Sequence, residues 1–257
     1  MSHLSRPAAT LAGWPDLAAE LDLWGEAGRT AALWWRDDDA ISATPQLDLL
    51  LRLAEGVPLA VAVIPALAMP ALADALAAAA AVAVLQHGWL HRNRAADGGK
   101  SEYPDDRAPT AVAAEIGAGR ARLKALFGTR ALPIFVPPWN RFADRFLPLL
   151  PQNGVAGLSA MARPGDPSPA GLVRRDVHVD VVAWRGDRGF IGAAPALGLL
   201  TAALRALRRG EATAGPIGIL THHRILDRAA AAFLDRLKEL ILAHPAARWA
   251  DIGEVPA

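Results

Sequence analysis

Cysteine is absent from this sequence of 257 residues. Disulfide bonds and thiolate metal sites are therefore excluded, and any metal ion would have to be held by histidine and carboxylate side chains. Long basic runs are also lacking, and 27 Lys and Arg residues against 26 Asp and Glu residues give a formal net charge of +1. We therefore expect no nucleic-acid partner, because proteins of that class carry a concentrated basic surface.

Uninterrupted apolar segments of membrane-spanning length are lacking as well. The alanine-rich stretch 66–84 is broken by Pro70 and Asp74, whereas a membrane helix needs about 20 largely apolar residues. Residues 1–14 show no basic region followed by an apolar run, which would be the pattern of a signal peptide. We expect no membrane partner and a cytoplasmic location.

The sequence does contain a regular alternation of short apolar segments and amphipathic helical patterns. Segments that are apolar on both faces are typical of parallel strands covered by helices. Their number favours a barrel over an open sheet, and we predict a single domain over residues 1–257. The predicted strands are 31–37, 59–64, 82–86, 134–136, 155–159, 177–184, 217–221 and 248–252. The predicted helices are 11–28, 44–55, 70–80, 110–127, 142–150, 195–209 and 229–243.

The conspicuous polar residues share one position, because each follows the C-terminal end of a predicted strand. In a parallel barrel these ends meet on one face, where barrel enzymes keep their active sites. The sequence therefore predicts one site built from several strand ends. The residues are Asp37–Asp39, His87, Pro137–Arg141, Trp184 and His222.

Three aspartates in a row, Asp37 to Asp39, end the first predicted strand. Their like charges repel and burying any of them unpaired is costly, so a divalent cation is the simplest partner. His87 and His91 have an H-x-x-x-H spacing, which on a helical turn places two imidazoles on one side. One aspartate and these two histidines would complete a facial metal-binding set, with positions left for water and substrate.

A neighbouring aspartate would then remain free as a general base for a water molecule activated by the metal. Hydrolysis of an amide also needs an acid that protonates the leaving nitrogen. His222 or His223, directly after the apolar strand 217–221, could supply that proton near neutral pH. This pattern indicates a metal-dependent hydrolase.

These residues resemble the ordered motifs of a known family, the polysaccharide deacetylases or NodB-homology carbohydrate esterases, over about residues 34–223. The family's first motif, T-F-D-D-G, places a base aspartate before a metal-binding aspartate. Aligning Ala40 with the motif glycine makes Asp38 the base and Asp39 the ligand. A shift of one residue would instead make them Asp37 and Asp38.

The second and third motifs each depart from the family at one position. The second, H-[ST]-x-x-H, resembles His87–His91 with Gly88 in place of the hydroxyl residue. The third, R-x-P-[YW], is matched by its proline and its aromatic residue, but Val136 stands where the family has arginine. Arg141 or Arg36 could take the place of that arginine.

The fourth and fifth motifs lie later in the chain. The fourth, D-x-x-x-W, is matched by Asp180 and Trp184, and the fifth, L-x-H, is matched by residues 220–222. The last match implies that His222 is the general acid.

The resemblance implies a distorted (β/α) barrel of seven or eight parallel strands, with the motif-bearing core at about 31–224. It also implies removal of an acetyl group from an N-acetylated sugar or a related amide, with zinc (Zn²⁺) or another divalent transition metal such as Ni²⁺, Co²⁺ or Mn²⁺. The expected partner is a small-molecule or oligosaccharide substrate, and the lack of an export signal favours a soluble intracellular one. The residues expected to bind substrate or orient groups are Asp37, Trp139, Asn140, Arg141, Asp180, Trp184 and His223.

Two alternatives stay open. The same fold and metal could open a cyclic amide, or the chain could be an inactive barrel that binds sugar or metal. The missing motif arginine supports the inactive barrel, whereas the complete set of base, ligands and acid counts against it. The sequence gives no indication of the oligomeric state.

Overall fold

The structure is a computed structural model, and it describes residues 11–96, 98–163, 171–186, 188–212 and 215–253. Helices and strands alternate along these ranges. The strands are β1 (Ala31–Ala40), β2 (Leu59–Val63), β3 (Val82–His87), β4 (Ala131–Val136), β5 (Gly157–Leu158), β6 (Val173–Arg174), β7 (Val177–Asp180), β8 (Ile217–Thr221) and β9 (Ala247–Trp249). The α-helices are α1 (Trp14–Glu26), α2 (Pro45–Leu53), α3 (Pro70–Ala77), α4 (Pro109–Phe127), α5 (Leu149–Gln152), α6 (Ala193–Arg208) and α7 (Arg228–Ala243).

These strands form one curled sheet in which every paired strand is parallel to its neighbour. The order along the sheet is β6-β5-β4-β3-β2-β1-β8-β7, and β9 pairs with the start of β1. Beyond β5, Met161 bridges to Val177 of β7, which joins the two sides of the curl. The architecture is a distorted (β/α) barrel, and the predicted fold class is confirmed.

Side chains alternate between the two faces of the barrel strands. In β1, Trp34 belongs to an apolar cluster inside the barrel, whereas its neighbour Trp35 packs in the larger cluster beneath the helices. The alternation follows from the period of two along a strand. The buried members of the inner cluster are Trp34, Ala60, Ala62, Leu85, Ile134, Val136, Val177, Leu220 and Ile252. Because the strand interiors are apolar on both faces, the polar residues concentrate at the strand ends.

The helices cover the outer face of the sheet and begin at sequence signals. Thr44 caps α2, because its side chain accepts a hydrogen bond from the backbone N–H of Leu47 at 3.1 Å. Asp227 caps α7 in the same way through the backbone N–H of Ala230, at 2.7 Å. Among the helices that the structure describes, none is long and apolar enough to cross a membrane.

Some predicted elements differ in the structure. The predicted helix 142–150 is replaced by a 3-10 turn at Asp144–Phe146 and the short helix α5, because Pro148 lies between them and lacks the N–H that a continuous helix needs. The predicted strand 177–184 ends at Asp180, whose side chain accepts from the backbone N–H of Val182 at 3.0 Å and starts a turn.

Between β5 and β7 the structure contains one element that was not predicted, and part of this region is not described. The short strand β6 was not predicted, because two residues are too few to show a pattern. The segment 163–170, which its prolines and glycines predict to be a loop, lies outside the described residues apart from its first position.

Candidate metal centre

The three aspartates all lie within β1, because this strand extends to Ala40 and is three residues longer than the predicted strand 31–37. Asp37 pairs with Val61 of β2, and the next pair along these strands is Ala40 with Val63. Three steps along β1 thus match two along β2, so β1 carries a bulge at its second and third aspartates. Asp39 has a φ of 72°, and this backbone turn redirects its side chain.

Asp39, His87 and His91 form a compact cluster at the ends of β1 and β3. Oδ1 of Asp39 lies 3.2 Å from Nε2 of His87 and 3.3 Å from Nε2 of His91. One ligand atom from each residue lies within 4.8 Å of the others, so a single ion could contact all three. One carboxylate and two imidazoles suit zinc and other divalent transition metals. The donor set therefore fits such an ion.

The surroundings of His87 determine which ring nitrogen faces the cluster. Its Nδ1 lies 3.0 Å from the backbone carbonyl oxygen of Val136. A carbonyl oxygen only accepts hydrogen bonds, so Nδ1 carries the proton and donates. In the neutral ring, Nε2 is then free of a proton and faces Asp39, as in histidines that bind metal ions.

The protonation states of Asp39 and His91 also suit a cation. Burial lowers the pKa of His91 and the charge of His87 lowers it further, to about 4. Burial raises the pKa of Asp39, but the hydrogen bond and charge of His87 and the charges of His222 and His91 outweigh it and hold the pKa well below its usual range. Burial lowers the pKa of His87, but the carboxylates of Asp38 and Asp39 outweigh it and raise that pKa. Near neutral pH, His91 is neutral and Asp39 is ionised, as metal binding requires.

The segment between the two histidines is not a helical turn, although such a turn would also place the two imidazoles on one side. After β3 ends at His87, residues 88–91 form an irregular turn in which Gly88 has a φ of 56° and His91 a φ of 55°. The spacing H-x-x-x-H fits a helical turn, but it also fits a tighter chain reversal of this kind. The two rings still meet, with their centroids 5.0 Å apart.

Asp38 contacts a buried arginine and not the histidine pair. Nε of Arg36 lies 2.9 Å from Oδ1 of Asp38, and Nη2 donates to Oδ2 at 3.0 Å. The same guanidinium donates to the carbonyl and hydroxyl oxygens of Ser159, at 3.0 and 2.7 Å, and to Oδ1 of Asn140 at 2.9 Å. Arg36 is fully buried. Its charge is matched by one carboxylate and three neutral acceptors, which hold the Asp38 carboxylate in one orientation.

Arg36 and Arg141 were the two arginines predicted as replacements for the motif arginine at the position of Val136. Arg141 is exposed, and its Nη1 lies 3.5 Å from the carbonyl oxygen of Lys100. A Cβ atom at Gly99 would come within 1.1 Å of the same nitrogen, so the guanidinium lies against this loop. Of the two, Arg36 is the one placed beside Asp38.

Asp37 points to β8 and to the segment that follows it. Its Oδ2 accepts from Oγ1 of Thr221 at 2.6 Å, and its Oδ1 accepts from Nδ1 of His223 at 2.5 Å. Burial lowers the pKa of His223, but the charge of Asp37 and this hydrogen bond outweigh it and raise the pKa. Asp37 and His223 therefore support each other and tie two barrel strands together.

His222 follows β8 and packs against Trp184. The two ring centroids are 4.6 Å apart, and the rings are nearly perpendicular at 82°. Nε1 of Trp184 donates to Oδ2 of Asp180 at 2.6 Å, while burial raises the pKa of Asp180 against the lowering effects of His222 and Trp184. Nδ1 of His222 is buried and has no hydrogen-bond partner in the described part of the chain. Asp180 thus contacts Trp184, whose ring in turn packs edge-on against His222.

Unusual backbone conformations concentrate at this site. Among the described residues, five that are not glycine have a positive φ, and four of them are Asp39, His91, Trp139 and Asn140. Such conformations are costly and cluster at functional sites. Two of these residues contact other site residues. The ring centroid of Trp139 lies 4.2 Å from that of His91, and Oδ1 of Asn140 accepts a hydrogen bond from Arg36.

No model of a protein family matches this sequence, and no curated protein matches it. Solved structures do resemble it. A candidate polysaccharide deacetylase from Mycobacterium smegmatis gives a TM-score of 0.65 at 19% identity, over 97% of this chain and 93% of that one. A family 4 acetyl xylan esterase from Clostridium thermocellum, in complex with a cobalt ion, gives 0.55 at 14% identity, over 87% and 89%. The chain has the polysaccharide deacetylase fold.

The polysaccharide deacetylase fold is the one that the motif resemblance implied. The fold alone does not decide whether a substrate is turned over. A carbohydrate esterase family 4 pseudoenzyme from Bacillus anthracis gives a TM-score of 0.56 at 13% identity, over 88% of this chain and 65% of that one. A mutant of that pseudoenzyme has restored activity. Activity must therefore be argued from the site residues.

On this polysaccharide deacetylase fold, Ser159 and Glu102 are two site residues that the sequence analysis missed. Ser159 follows β5 and accepts hydrogen bonds from Arg36. Glu102 is fully buried and accepts hydrogen bonds from the turn between the two histidines. A lone serine and a glutamate in a polar loop carry no sequence signal, so only the structure could identify them.

Proposed function

We propose that this chain is a metal-dependent hydrolase that removes an acetyl group from an N-acetylated sugar or a related amide. One observation carries the proposal: Asp39, His87 and His91 meet beside an arginine-anchored Asp38, and His222 is close enough for its charge to lower the pKa of Asp39. The residues proposed as ligands, base and acid thus lie together at one end of the barrel, where parallel barrels carry catalysis.

In this proposal Asp39, His87 and His91 hold a divalent ion, with zinc, nickel, cobalt or manganese as candidates. When bound, such an ion supplies Lewis acidity, which makes water a stronger nucleophile near neutral pH and polarises the carbonyl of an amide. The geometry favours Asp39 over Asp38 as the carboxylate ligand, because Asp39 contacts both histidines whereas Asp38 contacts Arg36.

Asp38 is the proposed general base. Its carboxylate lies next to the ligand Asp39 along the chain, and the Arg36 guanidinium holds both of its oxygens. A base that accepts a proton from an attacking water needs a fixed orientation, and a two-point arginine contact provides it. Asn140 and Ser159 hold the guanidinium in turn. In this proposal Arg36 orients the base in place of the motif arginine, whose position Val136 occupies.

His222 is the proposed general acid, which donates a proton to the leaving nitrogen. Trp184 packs edge-on against its ring, and Asp180 holds Trp184 through the indole N–H. Nδ1 of His222 is buried and has no hydrogen-bond partner among the described residues. We assign Asp180 and Trp184 to the orientation of His222.

The other residues predicted to bind substrate or orient groups have different proposed roles. Trp184 is 47% exposed, so its free face could also stack on a sugar ring, whereas Trp139 packs on His91 and orients a metal ligand. His223 and Asp37 fix the segment that carries His222. Arg141, at the exposed edge of the same face, is left as a candidate contact for substrate.

Release of acetate from a panel of N-acetylated sugars, linear amides and cyclic amides tests the proposal. We expect acetate from at least one N-acetylated compound, and none when Asp39→Ala or His91→Ala replaces the wild type. Opening of a cyclic amide without acetate release would favour the alternative hydrolase. A chain that binds the ion and hydrolyses no member of the panel would instead be the inactive barrel.

A further inference from the structure

Glu102 presents a buried carboxylate to the turn between His87 and His91. Oε1 accepts from the backbone N–H of Leu90 at 2.8 Å, and Oε2 accepts from that of Trp89 at 3.1 Å. Glu102 is 0% exposed. Within the described ranges it forms no salt bridge, and the hydrogen-bond donors to its carboxylate are backbone N–H groups, including that of Arg92 at 3.5 Å from Oε1.

Gly88 makes room for this carboxylate. A Cβ atom at Gly88 would lie 2.2 Å from Oε2 of Glu102 and 2.6 Å from Cγ of Pro138. The φ of 56° at Gly88 also suits glycine better than any other residue. The departure from the H-[ST]-x-x-H pattern is therefore linked to Glu102, because a side chain at this position would exclude the carboxylate.

The turn has further support on its other side. Nε2 of Gln86 donates to the carbonyl oxygen of Gly88 at 3.2 Å, and the N–H of Gly88 donates to the carbonyl of Val136 at 3.0 Å. The Trp89 and Leu90 amides, by contrast, depend on Glu102. Without an acceptor these two partly buried N–H groups would be left unsatisfied, which is unfavourable.

We propose that Glu102 is a positioning residue of the metal centre: its carboxylate fixes the 88–90 turn and thereby holds His91 toward Asp39. The inference rests on the proposed function, because it presumes that His91 binds the ion. His91 has a positive φ and is reached by an irregular turn, so its position depends on what holds that turn. A ligand kept in place by a supporting residue binds its ion more tightly.

The test is binding of Co²⁺ to the metal-free full chain, measured by calorimetry and by the visible absorption of the bound ion. Glu102→Gln keeps the size of the side chain and removes its charge, and Glu102→Ala removes both. Glu20→Gln is the matched control, because Glu20 is also buried but pairs with Arg208 of α6 and does not touch the turn.

We expect both Glu102 variants to bind Co²⁺ about 10- to 100-fold more weakly than the wild type. Their visible spectrum should change, because a displaced His91 alters the coordination geometry, whereas Glu20→Gln should match the wild type. A purely structural role of Glu102 would lower thermal stability without moving the spectrum. Folded Glu102 variants with the wild-type affinity and spectrum would overturn the inference. Failure of the wild type itself to bind Co²⁺ would refute the metal centre, and this inference with it.

A measurement on the wild type covers the case in which neither variant folds. In the metal-free chain, we expect the Trp89 and Leu90 amide protons to exchange slowly with solvent, because the carboxylate holds them in hydrogen bonds. Exchange of both at the rate of an open loop would show that the turn is not held, and would overturn the inference.

Discussion

The three aspartates at the end of β1 have the same side chain but different contacts. Asp37 holds Thr221 and His223, Asp38 holds Arg36, and Asp39 meets the histidine pair. Consecutive strand residues point to opposite faces, and the bulge after Asp37 turns Asp39 away from the regular pattern. The three neighbouring carboxylates therefore contact three different groups of residues.

Replacing Asp38 with asparagine removes the proposed base and leaves the proposed ligands in place. We expect kcat to fall by about 10²- to 10⁴-fold, the usual contribution of a general base, while the metal content stays at the wild-type level. Steady-state kinetics and elemental analysis of Asp38→Asn check this. Loss of the ion in Asp38→Asn would support the shifted assignment, with Asp38 as the ligand.

The arginine beside Asp38 gives a second prediction at this scale. Arg36→Lys keeps the charge but loses the planar fork that contacts both carboxylate oxygens. We expect kcat to fall by about 10²-fold, as for other small misplacements of a catalytic group, and to fall much less in Arg141→Ala. The reverse order of the two variants would identify Arg141 as the residue that replaces the motif arginine.

The sequence indicated most of the residues of the site but not how they pair. Strand-end position and motif order were enough to select the run Asp37–Asp39 with His87, His91 and His222, but they left open which two aspartates are the base and the ligand. They could not decide between Arg36 and Arg141, because both are near in sequence to a motif and the choice depends on side-chain direction. Glu102 could not be predicted from the sequence either, because its hydrogen bonds to the backbone of Trp89 and Leu90 form only in the folded chain.

His178 lies in β7 at a position where the pairing register between β7 and β8 shifts. The pairing shifts between Val177 and Val179, and the N–H of Gly218 donates to Nδ1 of His178 at 3.0 Å. An acceptor nitrogen must lack a proton, so the fold requires the neutral ring. Burial lowers the pKa of His178 from 6.5, although the Asp176 carboxylate opposes the shift.

This histidine should make folding less favourable in acid. Its pKa is lower in the folded than in the unfolded chain, so the unfolded chain binds more protons once the pH falls below about 6.5. The stabilisation is complete above that pH and is lost as the pH falls toward the folded pKa. We expect the wild type to lose more stability than His178→Asn between pH 7.5 and 5.5, since the asparagine oxygen can accept from Gly218 without titrating. Urea unfolding at both pH values checks this, and equal losses in both proteins would contradict it.

Elements with a long periodic pattern were predictable, and short ones were not. The helix α4 and the strand β8 appear within one residue of their predicted bounds, because each has an unbroken pattern and clear end signals. The segment 142–150 was predicted as one helix from its apolar spacing, but its proline divides it.

At the scale of the whole molecule, the sequence predicted a parallel barrel because its strands are apolar on both faces. Strands of this kind need helices on their outer face and apolar side chains inside the barrel, and the structure shows both. The place where the barrel closes was not predictable. Closure depends on the bridge between Met161 and Val177, which involves too few residues to leave a pattern in the sequence.

A bound ion should stabilise the entire fold, because its proposed ligands come from β1 and from the turn after β3. Binding to the folded chain alone adds about 2.7 kcal/mol at a free ion concentration of 100 Kd. For a chain of this size, that corresponds to a Tm increase on the order of 5 to 10 °C. Thermal unfolding with and without Zn²⁺ checks this. An equal increase in Asp39→Ala would show that the ion acts elsewhere.

If Asp39, His87 and His91 bind a divalent metal ion, elemental analysis of the purified chain will detect that ion. After incubation with zinc, nickel, cobalt or manganese and removal of free ion, we predict about one ion per chain in the wild type. We predict none in Asp39→Ala or His91→Ala, and full occupancy in Glu20→Gln. A wild type that retains no ion under any of these conditions, or an Asp39→Ala variant that retains it, would contradict the account.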